Sequence, residues 1–436
     1  MELRDVRLPE NFTGGLLMRK SIVVLMLLMF AAGGLIFAQG AKPVSINFWY
    51  SMGGANGDLI QSMVKAFNDT NKDIVVTATY QGNYYDTSAK LQAAVASDTT
   101  PHVTMVVDMH NPMFADAEVL ANLEPFMKRD KVDINDFIPG LLDWSYYKGK
   151  IVSLPFNRST PLFYFNKDHL KAAGLSENGP QTWDELETFA RKLTIKGERW
   201  GYSCPIDIWF YLGMVFQNGG EVLSPDGKHS GFNNEIGTKP IYFWRKMIDE
   251  GIMKLPPGKE YNSWEVAMQD FLNGKVSMIM TSTGYLWGIL NSAQGKFNVG
   301  TTFLPKAKQW GAPTGGANIA VIAGKPANET EAAWRFIKFM TDTPQVILFS
   351  QRSGYMPSRK SAVSSASMQV FFKEKPQFKT AIDQLYEAAR SRPNHPNYAE
   401  LDKIIMDEIQ RATIDRNYSP EQAMKTIDIA IQRLFR

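Results

Sequence analysis

The stretch from residue 154 to residue 168, with the sequence LPFNRSTPLFYFNKD, constrains the fold of this chain more than any other. Pro155 and Pro161 each fix their own φ angle and favour an extended conformation in the preceding residue. The apolar run Leu162–Phe165 is typical of a strand that is buried on both faces. This stretch therefore predicts a stiff connector that crosses between two parts of the molecule and touches a ligand. An ordinary loop that leads into a strand is the alternative.

Upstream of this connector, the chain alternates between strand and helix patterns. Runs of β-branched and aromatic residues predict strands at Val44–Trp49, Ile74–Tyr80 and Val103–Val107, and apolar stripes predict helices between them. This alternation predicts a parallel sheet with helices on both faces. Ligands of such sheets bind beyond the carboxyl ends of the strands. Trp49–Ser51, Tyr84 and Asp108, which lie at or just after the ends of the three strands, are therefore expected on one ligand-binding rim.

A second α/β unit is predicted after the connector. Val276–Met280 and Val299–Leu304 have the composition of strands, and a hydroxyl-rich turn that contains Ser282 follows the first of them. This turn can hold a polar ligand or simply cap the next helix. With 436 residues, the chain exceeds the usual size of a single core. The predicted fold class is α/β, with two lobes joined by extended hinge strands and a ligand cleft between the lobes.

The N-terminal residues predict export from the cytoplasm. A basic pair, the apolar run Ile22–Phe37 and the small residues Ala38–Gly40 follow one another in the order of a signal peptide. We expect residues 1–40 to be this peptide, cleaved near Gly40, and the mature protein to be periplasmic. Met18 directly precedes the basic pair, so translation is expected to start there. An uncleaved membrane anchor is the alternative, although the apolar run is short for a span.

Composition and motifs exclude several classes of function. The net charge of +3, with no dense Lys/Arg run, argues against nucleic-acid binding. A single Cys204 excludes an intramolecular disulfide and a Cys-cluster zinc site, and the five His residues lack metal-ligand spacing. We therefore expect no metal and no cofactor. No nucleophile-elbow, zinc or P-loop motif occurs, so no enzymatic activity is expected, with an exported polysaccharide-active enzyme as the alternative.

Five segments give the chain a resemblance to the extracellular solute-binding proteins of bacterial ABC importers, the family that includes maltose-binding protein. These segments are Phe48–Met52, Tyr80–Tyr84, Pro155–Pro161, Tyr164–Asp168 and Ser353–Pro357. The resemblance runs from about Ile46 to the C-terminus. It implies a monomer whose lobes comprise residues 41–156 with 311–352 and residues 157–310 with 353–436. It also implies that the lobes close on a small-molecule ligand and present it to a membrane permease.

The resemblance is greatest to family members that bind sn-glycerol 3-phosphate, and it implies a set of ligand contacts. Positions that keep the residue type of those members are Tyr84, Ser159, Ser282, Gly316 and Tyr355. Three positions depart, because a family Glu falls on Asp108, a family Arg falls on Lys403, and a cleft Trp falls near Ile206. Lys can meet a phosphate as a point charge, but it lacks the bidentate fork of Arg. The site prediction therefore comprises the five matching residues together with Asp108 and Lys403.

Two ligand classes follow from these residues. The five matching positions and Lys403 indicate sn-glycerol 3-phosphate or a glycerophosphodiester, since a phosphate needs hydrogen-bond donors and a compensating charge. A sugar or oligosaccharide is the alternative, because Asp108 with Trp209 or Trp287 would supply a carboxylate and a stacking aromatic ring. In both cases the implied function is solute capture for an ABC importer.

Overall fold

The computed structural model of the protein describes residues 42–258 and 261–435. The predicted signal peptide, with Met18 and the cleavage position near Gly40, lies outside the described residues. From Val44 onward, the described residues form one compact unit. Among the described helices, none has both the length and the apolar character that crossing a membrane requires.

The strands form two five-stranded sheets and two short two-stranded sheets. The strands are β1 (Val44–Tyr50), β2 (Ile74–Tyr80), β3 (Val103–Val107), β4 (Tyr146–Tyr147), β5 (Lys150–Ile151), β6 (Leu154–Ser159), β7 (Pro161–Asn166), β8 (Trp200–Ser203), β9 (Met253–Lys254), β10 (Val276–Ser282), β11 (Val299–Thr302), β12 (Ala312–Pro313), β13 (Gly315–Val321) and β14 (Ala389–Arg390).

Helices surround both large sheets. The α-helices are α1 (Gly54–Thr70), α2 (Tyr84–Ala96), α3 (Asn111–Asp116), α4 (Glu124–Arg129), α5 (Pro139–Leu142), α6 (Lys167–Ala172), α7 (Trp183–Leu193), α8 (Ile208–Gln217), α9 (Glu235–Asp249), α10 (Tyr261–Leu272), α11 (Leu286–Ala293), α12 (Ala327–Met340), α13 (Thr343–Ser353), α14 (Lys360–Ser364), α15 (Ala366–Glu374), α16 (Pro376–Ala388), α17 (Tyr398–Ile414) and α18 (Pro420–Leu434). Short 3-10 helices occur at Asp108–His110, Ile134–Asp136, Asp143–Ser145 and Thr283–Tyr285.

The first large sheet contains the strands predicted upstream of the connector. Its order is β2-β1-β3-β13-β6, with β1 parallel to β2 and β3, and with β13 antiparallel to its neighbours β3 and β6. All five residues of β3 are buried, as expected for a strand covered by helices on both faces. Phe48 of β1 packs edge-on against Phe336 of α12 within the same core. The predicted parallel sheet of three strands is therefore confirmed.

The second large sheet has the order β11-β7-β10-β8-β9. β7 runs antiparallel to β10 and β11, and β8 runs parallel to β10. Every residue of β7 and β10 is buried, which agrees with the apolar runs that predicted both strands. The two five-stranded sheets form the cores of the two lobes of an α/β fold.

The proline-bracketed stretch crosses directly between the two large sheets. β6 pairs with β13 of the first sheet, and β7 pairs with β10 and β11 of the second, so that only Thr160 separates the two pairings. The predicted crossing connector is thus confirmed. The chain returns to the first sheet between β11 and β13. The lobe boundary predicted after residue 156 falls within β6, just before the change of sheet at Thr160.

Candidate functional site

A cavity of about 590 Å³ lies between elements of the two large sheets. Ser51, Tyr84 and Asp108 line it, and each follows one of the parallel strands β1, β2 and β3. The predicted rim at the carboxyl ends of these strands therefore borders the cavity. Side chains associated with the second sheet, among them Ser282 and Trp209, line the opposite part. A solute in this cavity would contact both lobes at once.

Six of the seven predicted site residues line this cavity. They are Tyr84, Asp108, Ser159, Ser282, Gly316 and Tyr355. The residues are far apart in sequence, and the fold brings them together around one cavity. Their contact with a ligand stays a prediction.

Lys403 is not among the residues that line the cavity, and its side chain is exposed on α17. Asp402 and Met406, one helical turn apart, are the residues of α17 that face the cavity. Successive helical residues differ in direction by about 100°, so Lys403 points away from the face that carries its neighbour. The structure therefore does not place Lys403 at this cavity, and its contact with a ligand stays a prediction.

Arg392 is the cationic residue that lines the cavity among the described residues. Its Nη2 atom donates to both carboxylate oxygens of Asp108, at 3.0 Å each, and to the carbonyl oxygen of Thr314 at 3.0 Å. Its Nη1 atom lies 3.8 Å from Asp402 Oδ1. Its Nε atom is buried and has no hydrogen-bond partner within the described part of the chain. Arg392 therefore brings a buried positive charge to the wall of the cavity.

Asp108 is held by two buried guanidinium groups. Besides Arg392, Arg158 of β6 places its Nη2 atom 3.1 Å from Asp108 Oδ2. The exposed fraction is 0% for Arg158 and 1% for Asp108, so both residues are buried. Asp108 Oδ1 also accepts a hydrogen bond from its neighbour Met109 N at 2.8 Å. Buried charges persist only when they are paired in this way. Asp108 therefore lines the cavity, but most of its hydrogen-bonding capacity is used within the protein.

Two tyrosine hydroxyls meet at the crossover. Tyr84 OH accepts a short hydrogen bond from Asn157 Nδ2 and lies 3.2 Å from Tyr355 OH. Tyr84 begins α2 directly after its N-cap Asn83, whose side chain forms a capping box with Asp86. Burial raises the pKa of Tyr355, so that its hydroxyl stays protonated. Both hydroxyl groups belong to residues that line the cavity, and that of Tyr355 is a neutral donor.

Ser282 and Gly316 have structural roles of their own at the cavity wall. Ser282 Oγ accepts a hydrogen bond from Gly284 N at 3.0 Å and caps the 3-10 helix Thr283–Tyr285, so the predicted capping role is confirmed. Gly316 has a φ angle of 92°, and a Cβ atom at this position would lie 2.0 Å from Asn157 O. Only glycine fits such a position, because a side chain would collide with the backbone of β6.

A pair of stacked indole rings also borders the cavity. Trp209 and Trp264 have ring centroids 5.6 Å apart and an interplanar angle of 12°. Trp209 Nε1 donates to Thr314 O at 3.1 Å, and Trp264 Nε1 donates to Asp207 Oδ2 at 3.1 Å. Trp287, the other aromatic considered from the sequence, is not among the lining residues. Trp209 and Trp264 therefore supply the indole rings in the wall of the cavity.

Four further residues that line the cavity were not predicted from residue patterns, namely Arg392, Asp402, Asp207 and Trp264. Arg392 lies in a polar, proline-containing loop between two helices, and loops of this kind often carry binding residues. That signal was available in the sequence. Asp402, by contrast, sits beside Lys403 in an ordinary helical pattern, and only the packing of α17 on α8 and α9 shows which of the two is turned inward.

Comparisons with known proteins agree with this fold. Residues 62–380 match the family model described as bacterial extracellular solute-binding protein. The sn-glycerol-3-phosphate-binding periplasmic protein UgpB of Escherichia coli K12 is 28% identical over 428 residues, which cover 92% of this chain and 94% of that protein.

Solved structures agree as well. UgpB from Mycobacterium tuberculosis in complex with glycerophosphocholine has a TM-score of 0.80 and 26% identity, covering 91% of this chain and 98% of that one. The GacH receptor of Streptomyces glaucescens, solved unliganded and with acarbose, shares the fold with a TM-score of 0.80 at 21% identity, covering 90% and 98%. Because the family model matches most of the length of this chain, the chain belongs to the bacterial extracellular solute-binding proteins.

Proposed function

We propose that this protein is the solute-binding component of an ABC importer and captures sn-glycerol 3-phosphate or a glycerophosphodiester for delivery to the membrane permease. The observation that carries the proposal is Arg392, a buried guanidinium that lines a cavity together with several hydroxyl groups. Charge-assisted hydrogen bonds from such groups are strong contacts for a phosphate. The relatives whose names include glycerol phosphate or glycerophosphocholine support the same ligand class.

The charge balance of the cavity favours a phosphodiester over a phosphomonoester. Arg392 is already paired with Asp108, and four further carboxyl side chains line the same cavity. These are Asp86, Asp207, Glu265 and Asp402. A phosphomonoester carries close to two negative charges at neutral pH, whereas a diester carries one. We therefore expect a glycerophosphodiester such as glycerophosphocholine to bind more tightly than sn-glycerol 3-phosphate.

A neutral sugar is the second candidate, and one observation favours it. Trp209, stacked on Trp264, lies in the cavity near the carboxylate of Asp207. Aromatic rings with nearby carboxylates suit the apolar faces and hydroxyl groups of sugars. Solved relatives with the same fold include sugar-binding proteins, which supports keeping this alternative.

A calorimetric titration with glycerophosphocholine, sn-glycerol 3-phosphate and a panel of neutral sugars separates the two candidates. Arg392→Met should weaken binding of the phosphate ligands by about 10- to 100-fold, the usual value of a hydrogen bond to a charged group. Arg392→Lys keeps the charge but loses the planar fork, so we expect an intermediate loss. Lys403→Met is the matched control, because it removes an exposed cation outside the cavity and should leave binding unchanged.

The result that contradicts the phosphate assignment is a protein that binds a neutral sugar and neither phosphate compound. Thermal unfolding of each variant without ligand shows whether a loss of binding reflects a loss of fold. Because Arg158 still pairs with Asp108 after Arg392 is replaced, we expect the fold to survive the substitution.

We further propose that residues 1–40 are removed near Gly40 and that the mature protein acts as a periplasmic monomer without catalytic activity. The order of basic, apolar and small residues at the N-terminus supports this processing. Mass spectrometry of the exported protein gives the mature N-terminus, and light scattering gives its oligomeric state.

A further inference from the structure

Asp402 is a buried carboxyl group in the cavity wall. Its side chain lies on the inward face of α17 and is only 4% exposed. Its Oδ1 atom is buried and receives no hydrogen bond from any described residue. The nearest cationic atom, Arg392 Nη1, is 3.8 Å away, which is an ion-pair distance but too long for a hydrogen bond. The Oδ1 atom therefore lacks the donor that a buried acceptor needs.

Leaving such a group unpaired is costly. A buried carboxylate without hydrogen bonds destabilises the protein, and proteins generally satisfy buried polar atoms or present them to a ligand. Arg392 cannot satisfy Asp402 from its Nη2 atom, because that atom is committed to Asp108 and Thr314. Asp402 lines the cavity, so a solute that enters the cavity can supply a donor to its carboxylate.

We propose that Asp402 is a ligand-binding residue that accepts a hydrogen bond from a hydroxyl group of the solute. Because such a contact needs a solute in this cavity, it rests on the function proposed above. Arg392 lies beside Asp402, so an anionic group held by Arg392 and a hydroxyl group held by Asp402 would belong to adjacent parts of one ligand. Asp402 thereby selects solutes that carry a hydroxyl group next to the anionic group.

The surroundings of Asp402 make this contact dependent on pH. Burial raises the pKa of Asp402 to about 7, with Arg392 lowering it and the carboxylates of Asp207 and Asp108 raising it further. Charged and titratable groups that face Asp402 or share its cavity are Arg392, Asp108, Asp207, Glu265 and Tyr398. A donated hydrogen bond stabilises the ionised carboxylate, so the bound protein has the lower pKa. Affinity then rises with pH up to about pH 7, the pKa of the free protein, and is level above it.

Repulsion between the solute phosphate and Asp402 would give the opposite sign. In that case binding would favour the protonated carboxyl group, and affinity would fall as the pH rises. Glycerophosphocholine is the suitable probe because a phosphodiester has no proton that titrates near pH 6, unlike a phosphomonoester. The direction of the pH dependence therefore distinguishes acceptance of a hydroxyl group from simple repulsion.

The first experiment is a calorimetric titration of glycerophosphocholine at pH values below and above 7. We expect the wild-type affinity to rise several-fold with pH, and Asp402→Asn to remove this rise. Asp407→Asn is the matched control, since Asp407 is an exposed carboxylate on the same helix and its loss should leave the rise intact. A wild-type affinity that is flat or falls with pH overturns the proposal.

The second experiment pairs protein variants with ligand variants. Glycerophosphocholine analogues that lack one or the other glycerol hydroxyl group are titrated into wild type and Asp402→Leu. One analogue should lose about 10- to 100-fold in affinity for wild type, the value of a hydrogen bond to a charged acceptor, and little for Asp402→Leu. Equal losses in both proteins for both analogues overturn the proposal. Thermal unfolding confirms that each variant is folded.

Failure of the ligand assignment gives a different pattern. If the wild type binds a neutral sugar and not glycerophosphocholine, the phosphate assignment fails, and the same pH comparison is made with that sugar. A rise with pH that Asp402→Asn removes still supports the role of Asp402. A flat or falling affinity, or no binding to any of these solutes, overturns it.

Discussion

Ser159 and Tyr84 both line the cavity, but their side chains stand in different surroundings. Tyr84 OH accepts the hydrogen bond of Asn157 Nδ2, and Asn157 is fully buried on β6. Ser159 is buried at the end of the same strand, where the chain changes sheets. At the scale of single residues, removing each hydroxyl group should therefore have a different effect on the stability of the protein without ligand.

Tyr84→Phe is expected to lower both affinity and stability. The substitution leaves the buried amide of Asn157 without its acceptor, which costs about 1–3 kcal/mol of the free energy of unfolding. Ser159→Ala is expected to weaken ligand binding by a similar amount with little change in stability. Calorimetric titration and thermal unfolding without ligand measure the two effects. Unchanged affinity in both variants would show that these hydroxyl groups do not contact the solute.

At the scale of secondary-structure elements, the pairing of β6 with β13 positions residues of both strands at the cavity. β13 runs antiparallel to β6, with an irregularity in register between Ala317 and Asn318. Gly316, just before this irregularity, lies against the backbone of Asn157 and Arg158. The close approach holds the end of β6 in place at the point where Ser159 and the crossover begin.

Gly316→Ala should therefore destabilise the protein more than an ordinary Gly→Ala change at a positive φ angle. A Cβ atom would lie 2.0 Å from Asn157 O, in addition to the strain at φ 92°. Gly324→Ala is the matched control, because Gly324 has φ 77° and nothing within 4 Å of the added Cβ. Backbone strain alone costs about 1–3 kcal/mol, and chemical denaturation measures how far Gly316→Ala exceeds it. Equal losses in the free energy of unfolding for the two variants would show that the backbone of β6 can move away from the added Cβ atom without destabilising the protein.

At the scale of the whole molecule, the two sheets are joined through a very short crossover. β6 and β7 belong to different sheets with only Thr160 between them. β13, to which the chain returns, lines the same cavity with Gly315 and Gly316. Few backbone angles need to change for the lobes to rotate about such strands, and hinge closure around a ligand is a common motion of this kind. The lobe boundaries expected from the sequence stay predictions until such a motion is measured.

Ligand binding is expected to close the lobes and reduce the radius of gyration. Small-angle scattering with and without saturating ligand measures this change. Arg392→Met with the same phosphate ligand is the control, since it should bind weakly and stay open at that concentration. An unchanged radius for the wild type at saturation would contradict closure.

Local sequence patterns were sufficient for the strands, the crossover and the family. The backbone of the crossover is restricted directly by the prolines at 155 and 161 and by the apolar run after them. The conformation of this segment therefore depends little on the rest of the chain. The ends of β1, β2 and β3 likewise placed Ser51, Tyr84 and Asp108 at the cavity, because parallel strands finish at the same edge.

The charges of the site were decided only by the tertiary structure. Lys403 and Asp402 are neighbours in one helix, and their opposite directions depend on how α17 packs on helices that are distant in sequence. Asp108 is held by Arg158 and Arg392, which are far from Asp108 and from each other in the sequence. Local patterns contain neither the rotation of a helix nor the partner of a buried charge, since both are set by long-range packing. The fold was therefore accessible from the sequence, whereas the cationic residue at the cavity and the carboxyl oxygen without a hydrogen bond beside it were not.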